Sequence, residues 1–199
     1  MNQIRDKKQM ILDIAARIFS RYGYAKTSLD EIAQEAKIAK GTIYYYYPSK
    51  EELFLMVVKE QAQSFVDEMR RNLHSIDGFE NKLRYFLHAP VTYVCQKMPV
   101  LLEGLKTIPF NLQQHFDSFR AENRGKMVEL LLEILRDGIE QGLVSDRVSP
   151  EALCEIINDW FLLGNMSVVV QDFEELLDRI ERDHETIIQL ILYGIVKRG

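Results

Sequence analysis

Only two of the 199 residues are cysteine, and Cys95 and Cys154 lack the paired spacing of a zinc site or a disulfide framework. The sequence therefore predicts two free, buried thiols in a reducing cytoplasm, with a disulfide or redox-sensing pair as the alternative. Histidine is also sparse. His74, His88, His115 and His184 are scattered along the chain. No nucleophile–base pattern accompanies them and no phosphate-binding loop is present, which argues against an enzyme. A zinc site on His88 and Cys95 would need two further ligands, so neither a metal nor a cofactor is expected. No strongly apolar, uncharged run exceeds the twelve residues from Trp160 to Gln171, too few to span a bilayer. Arg5, Asp6, Lys7 and Lys8 precede a periodic amphipathic helix and not a leader pattern. A cytoplasmic protein with no membrane partner is expected. Internal repeats and low-complexity linkers are missing too.

What the chain does have is apolar content, 47% of its residues, enough for a small domain beside one larger helical body. Its charge is unevenly placed. Residues 1–50 hold nine Lys+Arg against five Asp+Glu, whereas residues 51–199 hold sixteen against twenty-five. A basic end on an acidic body orients that end toward a polyanion. The total of −5 argues against nonspecific coating of nucleic acid.

The basic end reads as three short helices and the start of a fourth. Ile11, Ile14, Ala15, Ile18, Phe19 and Tyr22 form one apolar stripe. Gly23 follows, where a left-handed residue ends a helix most cheaply. Ser28 with Glu31 forms a capping box for a second helix that turns Ile32, Ala33 and Ala36 inward. A third helix, Lys40 to Tyr46, stops before Pro48. Ser49 with Glu52 forms another capping box and opens a long fourth helix through Leu53, Phe54, Val57 and Val58. Two short helices around a tight turn, the second carrying lysine and tyrosine, match what a major groove admits.

The spaced set Phe19, Gly23-Tyr24, Thr27-Ser28, Ile32-Ala33, Lys40-Gly41-Thr42-Ile43-Tyr44 and Lys50-Glu51-Glu52-Leu53 closely resembles the N-terminal domain of TetR-type (tetracycline-repressor-like) transcriptional regulators. The resemblance covers about the first 55 residues. It implies an all-α fold: a three-helix helix-turn-helix domain over residues 1–50, and a ligand-binding and dimerisation domain over residues 51–199. It also implies DNA-contacting roles. Thr27 and Ser28 would meet a phosphate. Lys40, Gly41 and Thr42 would lead the recognition helix toward base edges, with Tyr44, Tyr45 and Tyr46 across the groove wall. Lys50 would clamp the backbone, while Ile43 and Tyr47 would anchor the helix from inside.

Three positions depart from the family pattern. Lys37 stands where glycine is usual, so a left-handed residue there costs about 1–2 kcal/mol. Ala39 replaces a frequent Ser or Thr cap, a loss of about 1 kcal/mol. Tyr46 replaces a frequent histidine, removing a possible cationic phosphate contact.

The rest of the chain reads as helix almost throughout, about nine helices in all. The fourth is expected to reach about Asn72 and the next to span Glu80–Met98, kinked or split at Pro90. A short segment lies between Pro99 and Pro109. Further helices are expected from Leu112 to Gln141, ending at Gly142, from Ser149-Pro150 to Val170, and from Phe173 to Lys197. The last two are densely apolar, which requires cover on two sides. Phe161, Gly164 and Val168 with Ile188, Ile191, Leu192 and Ile195 are the residues expected to form a homodimer seam. Two recognition helices would then sit roughly 34–36 Å apart, or a multiple of that.

An effector pocket is implied by the resemblance. Phe65, Met69, Phe86, Tyr93, Met98, Phe110, Phe119, Trp160 and Met166 are its candidate lining, and His88, His115 and Asn165 its candidate polar groups. The bland reading of these side chains is ordinary core. The implied function is a ligand-responsive regulator, a repressor, reading a pseudo-palindromic double-stranded operator as a homodimer and released by a small apolar or aromatic effector. The competing reading is an interaction module of the same fold with little sequence-specific DNA binding.

Overall fold

The computed structural model describes residues 2–97, 110–144, 149–161 and 173–195. Among these are eight helices and no strand: α1 (Asn2–Tyr22), α2 (Leu29–Glu35), α3 (Lys40–Tyr46), α4 (Lys50–Ser75), α5 (Phe79–Lys97), α6 (Phe110–Glu140), α7 (Pro150–Phe161) and α8 (Phe173–Ile195). The segment expected between Pro99 and Pro109 lies outside the described residues, as does the chain from 162 to 170. The chain divides into two compact units, Met1–Ser64 with Met98–Arg120, and Phe65–Lys97 with Ala121–Gly199.

The core of the first unit follows from the α1 stripe. Ile11, Leu12, Ala15, Ile18 and Phe19 are buried with Leu29, Ile32, Ala33, Ile43, Tyr47, Leu53, Phe54, Val57 and Val58. Tyr22 is a correction. It is exposed, with the Arg21 guanidinium 5.1 Å from its ring. The reason is Gly23, whose φ of +84° turns the chain so that Tyr24 takes the aromatic place. Tyr24 packs 5.9 Å from Phe19 and 4.7 Å from Phe54, which themselves meet edge to face at 5.2 Å. Aromatic pairs in this geometry contribute about 0.5–1.5 kcal/mol beyond area burial.

Helix starts are set by the predicted caps. The Ser28 hydroxyl oxygen accepts the Glu31 N–H at 3.2 Å, and the Ser28 N–H donates to Glu31 at 2.7 Å, completing the box. Ser49 accepts the Glu52 N–H at 3.1 Å, and its hydroxyl engages the Glu51 carboxylate. At α7, Ser149 accepts the Ala152 N–H at 3.1 Å ahead of the first-turn Pro150.

The second unit has its own core, in which Val66, Met69 and Leu73 of α4, Phe79, Leu83, Phe86, Leu87 and Val91 of α5, Met127, Leu130, Leu131, Ile134 and Leu135 of α6, Cys154 and Ile157 of α7, and Ile188 and Leu192 of α8 are buried together. α5 runs unbroken through Pro90, so the expected split is absent. Side chains tie the helices at the surface: Asn72 donates to the Tyr85 hydroxyl at 2.6 Å, Arg84 pairs with Glu185 at 2.8 Å, and Arg136 with Glu151 at 3.4 Å. The two ion pairs are exposed and add little to stability. Gly138 matters more, because a Cβ there would meet Phe79 at 2.5 Å and Val144 at 2.6 Å. Gly142, with φ +70°, then ends the last turn of α6.

Candidate nucleic-acid interface

The geometry of α3 follows from two inward residues four apart. Ile43 has no exposed surface and Tyr47 is buried, its hydroxyl donating to the Lys8 carbonyl at 3.2 Å. Burial, assisted by the charges of Glu60 and Asp13, pushes the Tyr47 phenol up to about 12. With that face anchored, helical spacing turns Lys40, Gly41, Tyr44 and Tyr45 outward. Tyr45 is 76% exposed and Tyr44 46%, unusually open for large aromatic rings. Tyr46 is half-buried against the core and meets the Tyr45 ring edge to face at 5.0 Å. Thr42 is half-buried, with its N–H on the Ala39 carbonyl at 2.8 Å. A Cβ on Gly41 would meet nothing within 4 Å, so the front of the helix opens onto free space.

The departures noted in the sequence have the expected local form. Lys37 takes φ +53°, the one positive φ outside glycine among the described residues. The turn holds because the Ala36, Lys37 and Ile38 N–H groups reach the Ile32, Gln34 and Ala33 carbonyls at 2.9, 3.1 and 3.0 Å. Ala39 sits in the extended cap position with no side-chain bond to α3.

Charges on this surface are held, not loose. Lys40 Nζ lies 2.7 Å from Asp30 Oδ2 and 6.0 Å from the Tyr44 ring centroid. The hydrogen bond that the ammonium donates to Asp30 raises its pKa, so its positive charge is secure. Lys50 is half-buried with Nζ 4.2 Å from the Tyr24 ring centroid. Burial lowers its pKa, against the opposing charges of Glu51 and Glu31. The Tyr24 hydroxyl donates to Glu51 at 3.0 Å.

Thr27 is corrected. Its side chain is buried, with the hydroxyl donating to the Gly23 carbonyl at 2.8 Å and the N–H to the Tyr24 carbonyl at 3.3 Å. Neither donor is available to a phosphate, and the residue closes the α1–α2 turn. Ser28 is half-buried and spends its N–H and hydroxyl on Glu31.

Residues 11–57 match the family of bacterial regulatory proteins called tetR. These residues are the DNA-binding domain of a TetR-type regulator. Over 153 residues the chain is 28% identical to the fatty acid metabolism regulator protein of Bacillus subtilis (strain 168), covering 73% of this chain and 75% of that one. A protein assigned as a transcriptional regulator from Saccharomonospora viridis, in complex with choline, superposes with a TM-score of 0.68 at 19% identity, covering 98% of this chain and 100% of that one. The transcriptional regulator FadR from Bacillus subtilis, in complex with stearoyl-CoA, gives 0.62 at 20% identity, covering 94% and 98%. At these identities the structural likeness carries the fold. With that domain, and with regulators as its relatives, the protein is a transcriptional regulator and not an enzyme. Among the described residues, no helix is long and apolar enough to cross a membrane.

The rest of the chain receives the remaining site residues unevenly. Met69 and Phe86 are fully buried in the second core. Phe65 is half-buried and stacks on Tyr93 at 4.2 Å, where burial pushes the phenol up to about 12. In the first unit, Lys59 Nζ lies 5.7 Å from the Phe119 ring centroid. The side chains of Phe110, His115 and Trp160 lie outside the described residues, as do Met98, Asn165 and Met166.

The predicted dimer seam is corrected in part. Ile188 and Leu192 are buried in the core of their own unit, and Ile191 is half-buried at its edge. Residues packed inside the protomer present nothing to a partner. Among the described side chains, the large apolar ones left open on α8 are Leu190, 67% exposed, and Tyr193, 66% exposed, with Ile156 on α7. Gly164 and Val168, and the side chains of Phe161 and Ile195, lie outside the described residues.

Sequence reasoning missed Asn123. It is buried on α6, and neither Nδ2 nor Oδ1 has a hydrogen-bond partner. A buried amide without partners is rare and calls for an explanation. Its signal was in the pattern: Asn123 leads the same helical stripe as Met127, Leu130 and Ile134.

Proposed function

We propose that this protein is a ligand-responsive transcriptional repressor that reads a pseudo-palindromic operator as a homodimer and is released by a small effector with an apolar or aromatic body. The observation that carries the reading is the outward face of α3. Lys40, an unobstructed Gly41, and the open rings of Tyr44 and Tyr45 stand on a helix anchored by Ile43 and Tyr47. Operator phosphates would exchange with Asp30 for the Lys40 ammonium, a surface pair that costs little to break. The tyrosine rings would meet sugar or thymine methyl groups. The exposed Leu190, Tyr193 and Ile156 supply apolar surface for a second copy.

The effector reading rests on Asn123, whose unmet donor and acceptor would orient the polar end of an otherwise apolar molecule. The ligands in the two similar structures, choline and stearoyl-CoA, each combine a hydrocarbon part with a charged group. α4 runs as one helix from Lys50, beside the reader, to Ser75. A ligand that displaces it would change the separation of the two recognition helices, and about 1–3 kcal/mol of coupling gives a five- to 150-fold change in affinity.

Fluorescence anisotropy with the DNA upstream of the protein's own gene, against scrambled DNA and at several salt concentrations, tests this reading. Salt-sensitive binding to the upstream DNA, or to a sequence drawn from a random library, supports the repressor. Failure to bind any of them supports the protein-interaction reading.

A further inference from the structure

We propose that His88 of α5 with His184 and Glu185 of α8 form a binding site for a divalent transition metal of the zinc class. The donor atoms of the three side chains lie within 4.8 Å of one another, one imidazole nitrogen from each histidine and one carboxylate oxygen. The imidazole rings are 5.1 Å apart and tilted by 33°, near enough to share one ion. Two nitrogens and one oxygen, with water in the fourth position, is a donor set that zinc accepts. Calcium and magnesium take all-oxygen sites, and copper(I) prefers sulfur, so the chemistry selects a borderline divalent ion.

The distances require only a modest closure. At metal–donor lengths of about 2.0–2.2 Å, tetrahedral donors stand roughly 3.4 Å apart, so the side chains must draw in by about 1–1.5 Å. His88 and Glu185 are exposed and His184 is half-buried, so a rotamer adjustment achieves this without moving a helix. The opening to solvent is also the entry path.

Side chains that orient the carboxylate are already in place. Arg84, one turn before His88, donates to Glu185 Oε1 at 2.8 Å, and Gln189, one turn after Glu185, donates to the same oxygen at 3.1 Å. These bonds hold the carboxylate below its ordinary pKa, with the His184 imidazole contributing to the same end. Both land on Oε1, so Arg84 and Gln189 can keep their grip while Oε2 takes the metal. Outer groups of this kind orient ligands and tune affinity. The ion would join α5 to α8, and because it binds the folded arrangement it would stabilise that arrangement by mass action. Nothing in this depends on DNA reading or on the effector.

The test uses the full chain, freed of metal by a chelator, titrated with Zn2+ against a chromogenic zinc indicator and with Co2+ by visible absorption. One Zn2+ per chain, a visible Co2+ band of tetrahedral intensity, and a melting midpoint that climbs with Zn2+ are expected. His88→Ala and His184→Ala should each abolish all three. Since both side chains reach the surface, both variants should keep the wild-type helical signal and metal-free midpoint. The proposal is overturned by the absence of saturable binding, or by binding that survives in the double alanine variant. An intense near-ultraviolet thiolate band in the Co2+ form would place the ion on cysteine and overturn it equally.

Discussion

Among the described residues, left-handed strain outside glycine falls on Lys37 alone, at φ +53° in the turn between α2 and α3. Glycine at that position removes the steric cost of the left-handed region, about 1–2 kcal/mol, and returns part of it as unfolded-state entropy. Lys37→Gly should therefore stabilise the protein by about 1 kcal/mol, read as a higher denaturant midpoint with an unchanged slope. Cys154 shows burial acting on chemistry. Its thiol is raised to about 11, first by desolvation and then by Glu151, because a low-dielectric surrounding disfavours the thiolate. The reactive thiolate is scarce below that value, so alkylation of the Cys154 peptide, followed by mass spectrometry at pH 8, should be slow in the folded protein. It should become fast on unfolding, where the ordinary thiol pKa near 8.5 returns. Rapid labelling of the native chain at pH 8 would contradict the burial.

Helices α5 and α6 are held close by an omission, the missing Cβ of Gly138. A methyl group there runs into the Phe79 ring and Val144, neither at the end of a flexible chain. Gly138→Ala gains helix propensity of up to about 1 kcal/mol. It should nonetheless lose stability, since overpacking costs about 1–3 kcal/mol. A thermal midpoint at or above wild type would show that the helices can part at no cost. On the same α6, Asn123→Leu separates structure from function. Removing an unpaired buried amide should stabilise the fold by about 1–3 kcal/mol. The same change should weaken effector-induced release from DNA; a variant that responds as well as wild type would remove Asn123 from the effector site.

For the whole molecule, the distribution of charge governs DNA binding more than the total of −5. Asp30 is the counterweight, pairing with the Lys40 ammonium at 2.7 Å on the reading face. Asp30→Asn frees that charge and removes a negative group facing the phosphates, so operator affinity should rise at low salt. Lys40→Ala should weaken it about tenfold or more and lower the salt slope by about one released counterion. Anisotropy titrations across salt concentrations measure both, and equal slopes for all three proteins would take Lys40 off the DNA.

The reader was legible in the sequence because its determinants are local. The Ser28 capping box, the left-handed Gly23 and the four-residue spacing of Ile43 and Tyr47 act over one or two turns and have the form that spacing implies, while of the Ser49 box only the bond from the Glu52 N–H forms. Even there, periodicity put Tyr22 in the buried stripe and the family resemblance put Thr27 on a phosphate, and both readings fail because the direction of each side chain depends on how the Gly23 turn sets α1 against α2. In the second unit the apolar pattern marked α8 as helix but not which side faced inward. Ile188 and Leu192 joined the core while Leu190 and Tyr193 stayed open, a choice made by packing against α5. The meeting of His88 with His184 and Glu185, nearly a hundred residues apart, likewise belongs to tertiary structure alone. Sequence periodicity sets which residues share a helix face; only the packed neighbours decide which face is buried and which distant side chains meet.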